Sequence, residues 1–395
     1  MFSDQKLPPL DTLSKAHSDL VAAAISRSIK QRGGAIRFDE FMRIALYEPG
    51  LGYYVAGAEK FGARGDFVTA PELGSLFGVC VAEQCRQILS EYTDAELIEF
   101  GGGSGRAAAT ILASLGSLNC LPERYTIIEL SPELRERQHQ TIRTLSPEFL
   151  ERVVWADGPP NEPINGCVLA NEVIDALPAR YFQVGDDEVL EFWVDEASDE
   201  GFCWQMRPAD DAISDMLRDS PGFEYCASIP GYLFEIIPAI PAWVQDLSTL
   251  IHNGVALLFD YGSGRKERYG PAYPAGSLRC FVQHRVHGDP LVYPGVQDIT
   301  TSVDFTAIAE AAVNAGFRVS GYTDQTNFLM SCGILHKVTE LQVGAGEKSV
   351  LKLNEELKTL LMPTKMGTSF KSIALAKGYD APLTGFSLRD HRGSL

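Results

Sequence analysis

The sequence predicts an α/β fold on a mostly parallel sheet, with a helical N-terminal extension and an antiparallel β insertion. Three observations carry this. From about residue 95, short apolar strands alternate with helical segments. The first strand runs straight into the glycine cluster Gly101-Gly102-Gly103-Ser104-Gly105. Over residues 180–237 the alternation gives way to aromatic strands of period two.

The elements follow in order. Residues 1–16 are polar and read as a loose arm. Leu20, Val21, Ala24, Ile25 and Ile29 then recur at helical spacing over 17–31, and Gly33-Gly34 stops the helix. A short helix over 38–46 ends at Glu48-Pro49-Gly50. Residues 95–100 form the first core strand and 106–115 an Ala-rich helix. Residues 125–129 form the second strand. Ser131-Pro132-Glu133 supplies an N-cap, a first-turn proline and an early acid to a helix reaching about Thr144. Strands follow at 152–155 and 167–170. The insertion holds strands at 180–184, 189–194, 202–206 and 232–237. A helix over 241–251, a strand over 255–260, a helix over 303–315, a strand over 318–322, a charged helix over 341–361 and a last strand over 372–376 close the chain. The expected organisation is a helical and lid region over 1–90, core over 91–180, antiparallel insertion over 181–250, and core again over 251–395.

The bulk numbers narrow the function. The chain has 395 residues, with 34 basic and 52 acidic side chains and a formal charge of −18. Such a surface repels phosphate backbones, so nucleic acid is not an expected partner. Eight cysteines are scattered with no C-x-x-C pair, which speaks for reduced core thiols and against a zinc site. His284, His287 and Asp289 sit near one another in a Pro/Gly-rich loop, and no metal is expected there. Neither a secretory leader nor an apolar stretch of membrane-spanning length is read, so a cytoplasmic protein without a membrane partner is expected.

The glycine loop separates two cofactor chemistries. A dinucleotide site wants G-x-G-x-x-G, and its third glycine would fall on Arg106. The spacing present is Gly101-x-Gly103-x-Gly105 behind Glu99. That acid-F-G-x-G-x-G form resembles the first motif of class I methyltransferases, in which the glycines make room for the methionine and ribose parts of S-adenosyl-L-methionine. Glu129 ends the second strand, where a carboxylate can accept two hydrogen bonds from vicinal ribose hydroxyls. Asp157 follows the third strand, where an acid commonly meets the adenine amino group in such enzymes. Asn171-Glu172-Val173-Ile174-Asp175 begins at the carboxyl end of the fourth strand, where open α/β sheets bind ligands. Asn171 is placed with the cofactor. Glu172 and Asp175 are the expected catalytic pair, sharing one face if the segment turns helically. Paired carboxylates can hold a guanidinium bidentately and orient one nitrogen for in-line attack.

The chain resembles the MidA family. The resemblance rests on Tyr47-Glu48-Pro49-Gly50-Leu51-Gly52-Tyr53-Tyr54, on Gly65-Asp66-Phe67-Val68-Thr69-Ala70-Pro71-Glu72, on the glycine loop and on Asn171-Glu172-Val173-Ile174-Asp175-Ala176-Leu177-Pro178. Asp260-Tyr261-Gly262, Asp289-Pro290-Leu291 and Asp298-Ile299-Thr300 extend it. Gly102 stands where the family commonly has proline, and Ser263 where it often has histidine. The resemblance implies a Rossmann-like class I methyltransferase fold with a seven-stranded sheet. It also implies S-adenosyl-L-methionine as cofactor and, as in the mitochondrial members, an arginine side chain of a protein as acceptor. On this reading the 65–72 loop folds over the cofactor with Thr69 and Glu72 facing it. The alternatives are a small-molecule O- or N-methyltransferase whose aromatic insertion walls an apolar pocket, a non-catalytic assembly factor that binds the cofactor, and a nicotinamide-dependent oxidoreductase.

Overall fold

The computed structural model describes residues 7–56, 69–198 and 201–395. The chain divides into two compact units, each assembled from separated stretches. One holds 69–173, 240–262 and 305–395; the other holds 7–56, 174–198, 201–239 and 263–304. The partition differs from the organisation expected along the sequence. Residues 69–90 belong with the core sheet rather than with the N-terminal helices. The 263–304 stretch belongs with the insertion and the N-terminal helices rather than with the core.

The larger unit is the α/β sheet. Its strands are β1 (Glu96–Phe100), β2 (Arg124–Ile128), β3 (Val153–Ala156), β4 (Ile164–Asn171), β5 (Ile251–Ser263), β6 (Arg318–Asp324) and β7 (Phe370–Lys377). They lie in the order β3-β2-β1-β4-β5-β7-β6. The first five are parallel to their neighbours, and β7 enters antiparallel between β5 and β6. The inner parallel strands β1, β4 and β5 are buried on both faces, which is why they read as continuous apolar runs. Leu97, Tyr125, Ile127, Cys167, Leu169, Val255 and Leu257 join one core with the helices Leu76–Leu89 and Arg106–Ser117. The strand order reverses between β1 and β4, and such switch points are where these sheets take ligands.

A short helix at Ala70–Leu73 precedes the helix Leu76–Leu89. One helix of this unit departs from the sequence reading. The charged helix expected over 341–361 is two helices, Ile334–Gln342 and Glu347–Leu361. Gly344 lies between them at φ 74°, where the left-handed backbone ends the first helix. Glu356, on the second, is buried and accepts the Leu76 backbone N–H at 2.6 Å. It thereby supplies a carboxylate to an otherwise uncapped helix N-terminus.

In the other unit the expected insertion strands form one antiparallel sheet with Ile36–Arg37 from the N-terminal region. The insertion's aromatics pack inward. Phe38 meets Trp204 at 5.3 Å between ring centroids, Phe41 meets Phe202 at 5.8 Å, and Tyr181 stacks on Phe192 at 4.5 Å. The helix Phe38–Tyr47 and the sheet therefore close over each other. The segment of His284, His287 and Asp289, read as a Pro/Gly-rich loop, lies in a three-stranded sheet of Arg279–Val282, Arg285–His287 and Asp298–Thr300. Its tight turn places Gln283 and His284 at positive φ.

Candidate active site

The glycine loop leaves β1 at the switch point. Phe100 pairs with Ile128 of β2 on one side and with Ala170 of β4 on the other. The loops after β1, β2 and β4 therefore start from adjacent strand ends, which brings Gly101–Gly105, Glu129 and Asn171–Glu172 to one end of the sheet. Gly101, Gly103 and Gly105 all have positive φ, at 64°, 53° and 85°. The glycines differ in what they face. A side chain on Gly103 would meet no atom within 4 Å, and one on Gly101 would meet only Val173 at 3.4 Å. These two leave open backbone that a methionine or ribose moiety fits. A Cβ on Gly105 would lie 2.8 Å from the Gln138 Cα. The missing side chain of Gly105 also admits the helix Pro132–Leu145.

The carboxylates are held individually. Glu129 is 8% exposed and accepts the Ser131 backbone N–H at 3.0 Å and the Gln138 amide at 3.0 Å. Glu72 accepts the hydroxyl of Ser104, so the segment just before the helix Leu76–Leu89 is tied to the glycine loop. Thr69 is buried at the start of the same turn. Residues 65–68 of the expected lid lie outside the described residues. Asp157 follows β3 and is exposed, with its carboxylate in solvent.

Glu99 is 5% exposed and is hydrogen-bonded by the Tyr125 hydroxyl at 3.0 Å. Burial pushes its carboxyl up to about 7, the Tyr125 hydroxyl pulls it down, and neighbouring Glu129 adds to the rise. The fold therefore favours the protonated form relative to the ordinary value of 4.5. Compared with Glu99→Gln, the native chain is expected to be most stable below pH 4.5 and to lose stability as pH rises through 7. The total loss expected is about 3 kcal/mol. Urea midpoints of the two proteins from pH 4.5 to 8 measure it, and curves that stay parallel refute it.

The segment after β4 is not the helical turn expected. Glu172 sits at φ 53°, a left-handed conformation that a glutamate adopts only under constraint. Its backbone N–H is fixed on the Phe259 carbonyl at 2.9 Å, and its carboxylate takes the Asn171 side-chain amide at 3.2 Å. The two catalytic candidates do not share a helical face, because the backbone turns the other way at the first of them.

Asp175 lies in the other unit, with a different neighbourhood. Its carbonyl accepts the Thr301 N–H at 2.9 Å, and Tyr47 donates its hydroxyl to the adjacent Ala176 carbonyl at 3.0 Å. Tyr47 stacks on Tyr54 at 5.5 Å, and Tyr54 donates to buried Asp298 at 2.7 Å. Burial, then Asp298 and Asp175, push the Tyr47 hydroxyl well above its ordinary range, so it stays a neutral donor. Tyr47, Tyr54 and Asp298 belong to motifs that carried the family resemblance but received no role from the sequence.

Gln138, Trp155 and Tyr125 are the other residues that sequence reasoning missed. Gln138 had a legible signal: it falls between Leu134 and Ile142 on the buried stripe of a charged helix. The His287 ring nitrogen Nδ1 accepts the Asp289 backbone N–H at 3.3 Å, and no group of three or more His, Cys, Asp or Glu side chains placed to hold a metal ion occurs among the described residues.

Comparison with known proteins supports the cofactor reading. Residues 76–323 match the family described as "Putative S-adenosyl-L-methionine-dependent methyltransferase". The chain is 29% identical over 389 residues to the Drosophila melanogaster protein named protein arginine methyltransferase NDUFAF7 homolog, mitochondrial. That match covers 90% of this chain and 86% of the relative. The Rattus norvegicus protein arginine methyltransferase NDUFAF7, mitochondrial, is 30% identical, with 87% and 81% covered. A crystal structure from Burkholderia thailandensis, bound to S-adenosyl-homocysteine, is 36% identical. It superposes with a TM-score of 0.93 over 99% of this chain and 100% of that one.

Proposed function

The chain belongs to this family of S-adenosyl-L-methionine-dependent methyltransferases, and we propose that its methyl acceptor is the guanidinium of an arginine on a protein. The observation that carries the proposal is the left-handed Glu172 at the switch point of the sheet. Strained backbone at a non-glycine residue persists where the side chain must be aimed, and here it aims a carboxylate beside the cofactor loop. The arginine methyltransferase names of the relatives support the same acceptor.

The cofactor, when bound, supplies a methyl group on a sulfonium. Gly101, Gly103, Glu99, Glu129, Asn171, Thr69 and Glu72 are the residues we assign to it, with Asp157 at the adenine end. Glu172 accepts guanidinium N–H groups, confines the positive charge and turns one nitrogen toward the methyl carbon. As the new C–N bond forms, the methyl C–S bond of the sulfonium would break to leave a neutral thioether, and the nitrogen would give its proton to the Glu172 carboxylate. Asp175 is the second carboxylate we assign to the reaction. The net charge of −18 favours a cationic target as well.

The alternative of an apolar small-molecule pocket loses its main support, since the insertion's aromatics are packed against one another. All eight cysteines are free thiols, which suits the reducing cytoplasmic setting we propose. Incubating the protein with cell lysate and methyl-labelled cofactor, then mapping modified peptides by mass, tests the acceptor. Label on arginine guanidinium groups is expected; label confined to small molecules or to other side chains overturns it.

A further inference from the structure

We propose that Gln138 is a positioning residue that sets the ribose-binding carboxylate and the glycine loop in one register. The proposal rests on the reading that Glu129 receives the ribose. Gln138 is fully buried. Its Nε2 donates to the Gly103 carbonyl at 3.1 Å and to the Glu129 Oε2 at 3.0 Å. Its Oε1 accepts the Trp155 indole N–H at 2.9 Å. One amide therefore ties together the loop after β1, the carboxylate after β2 and the strand β3.

The orientation of that amide is forced. An indole N–H can only donate, so the amide oxygen must face Trp155. The NH2 group must then face a carbonyl and a carboxylate, the two acceptors that need it. No other residue type offers two donors and one acceptor in this plane at this length. Glutamate would set negative charge against Glu129, and methionine would remove the hydrogen bonds to the Gly103 carbonyl, the Glu129 carboxylate and the Trp155 indole N–H. The backbone adds to the constraint. The Cα of Gln138 occupies the space above Gly105, and its Nε2 lies 3.3 Å from where a side chain on Gly102 would begin. Glu129 keeps one oxygen on the Ser131 N–H while Gln138 holds the other, so the carboxylate plane is fixed before any ligand arrives. A preorganised acceptor loses less freedom on binding than a rotating one.

The role is separable from general packing by asking what the site reads. Dissociation constants are measured for S-adenosylhomocysteine and for its 2′-deoxyribose analogue, on native protein, Gln138→Met, Gln138→Glu, Trp155→Phe and Glu129→Gln. Native protein is expected to prefer the hydroxylated ligand by about tenfold or more, the loss that follows from leaving a charged hydrogen-bond partner unused. Gln138→Met is expected to bind S-adenosylhomocysteine at least about tenfold more weakly and to prefer it over the deoxy analogue by less than about threefold. Its KM for the cofactor rises while kcat at saturation stays within about threefold, because the group acts on binding and not on the reacting atoms. Gln138→Glu is expected to regain affinity as pH falls from 8 to 6, since the protonated side chain recovers one donor.

Full ribose discrimination in a folded Gln138→Met overturns the proposal. Should that variant not fold, unchanged discrimination in Trp155→Phe, which keeps the amide and removes what orients it, overturns it equally. If Glu129→Gln discriminates as well as native protein, it is the ribose assignment of Glu129 that has failed, and Gln138 falls with it.

Discussion

Replacing Glu172 by glutamine is expected to cut methyl transfer about a thousandfold while S-adenosylhomocysteine affinity stays within about twofold. The substitution keeps size and most hydrogen-bonding capacity but removes the charge that we propose holds the acceptor and takes its proton. The left-handed backbone supplies a second arm. At φ 53° glutamate stores strain that glycine does not feel, so Glu172→Gly is expected to be no less stable than native protein and yet inactive. A residue that lowers stability and is required for turnover is a functional one. Single-turnover transfer from labelled cofactor to an arginine-containing substrate, alongside thermal melts of each variant, makes the comparison. Transfer within tenfold of native by Glu172→Gln would sink the catalytic assignment, and a marked drop in melting temperature for Glu172→Gly would remove the strain argument.

The second large effect expected is on stability. Glu235 has a fully buried carboxylate that accepts Arg268 Nη2 at 2.9 Å, the Ser277 N–H at 2.8 Å and the Ser277 hydroxyl at 2.8 Å. The Leu278 N–H adds another at 3.1 Å. Arg268 also donates to Ser277, whose hydroxyl in turn accepts the Ser302 N–H at 2.9 Å. The network ties the strand Leu233–Ile236 to the 265–302 stretch, which carries Asp298 and Thr301 beside Asp175. Glu235→Leu removes the carboxylate from a buried guanidinium and from the Ser277 and Leu278 N–H groups and is expected to cost about 3–5 kcal/mol. Pairing it with Arg268→Met removes the stranded charge and is expected to restore a large part of that. Urea unfolding followed by circular dichroism measures both; a loss under about 1 kcal/mol for the single variant refutes the estimate.

The two predictions draw on different levels of the molecule. The glycine loop, Glu129 and the capping run Ser131-Pro132-Glu133 were legible because each is a local solution to a local problem. A strand must turn into a helix, and the side chains that allow this lie within a few residues. Ser131 does cap its helix, accepting the Leu134 N–H at 3.3 Å. The bent backbone at Glu172 was not legible, because it is fixed by Phe259, whose carbonyl comes from a strand more than eighty residues away. Gln138 looked like one more polar residue on a charged helix until β3 and the glycine loop were placed around it.

What the sequence by itself determined was the class of structure, the order of its elements and the cofactor chemistry. Helix caps, strand periodicity and glycine spacing are written in neighbouring residues, and the short-range forces they exploit need no fold to act. What only the tertiary structure decided was which strands lie side by side, that β7 slips in antiparallel, that 263–304 clusters with the other unit, and which polar side chains are buried against one another. Those outcomes depend on contacts between residues far apart in the chain. Their energies arise only when water has been excluded from between them.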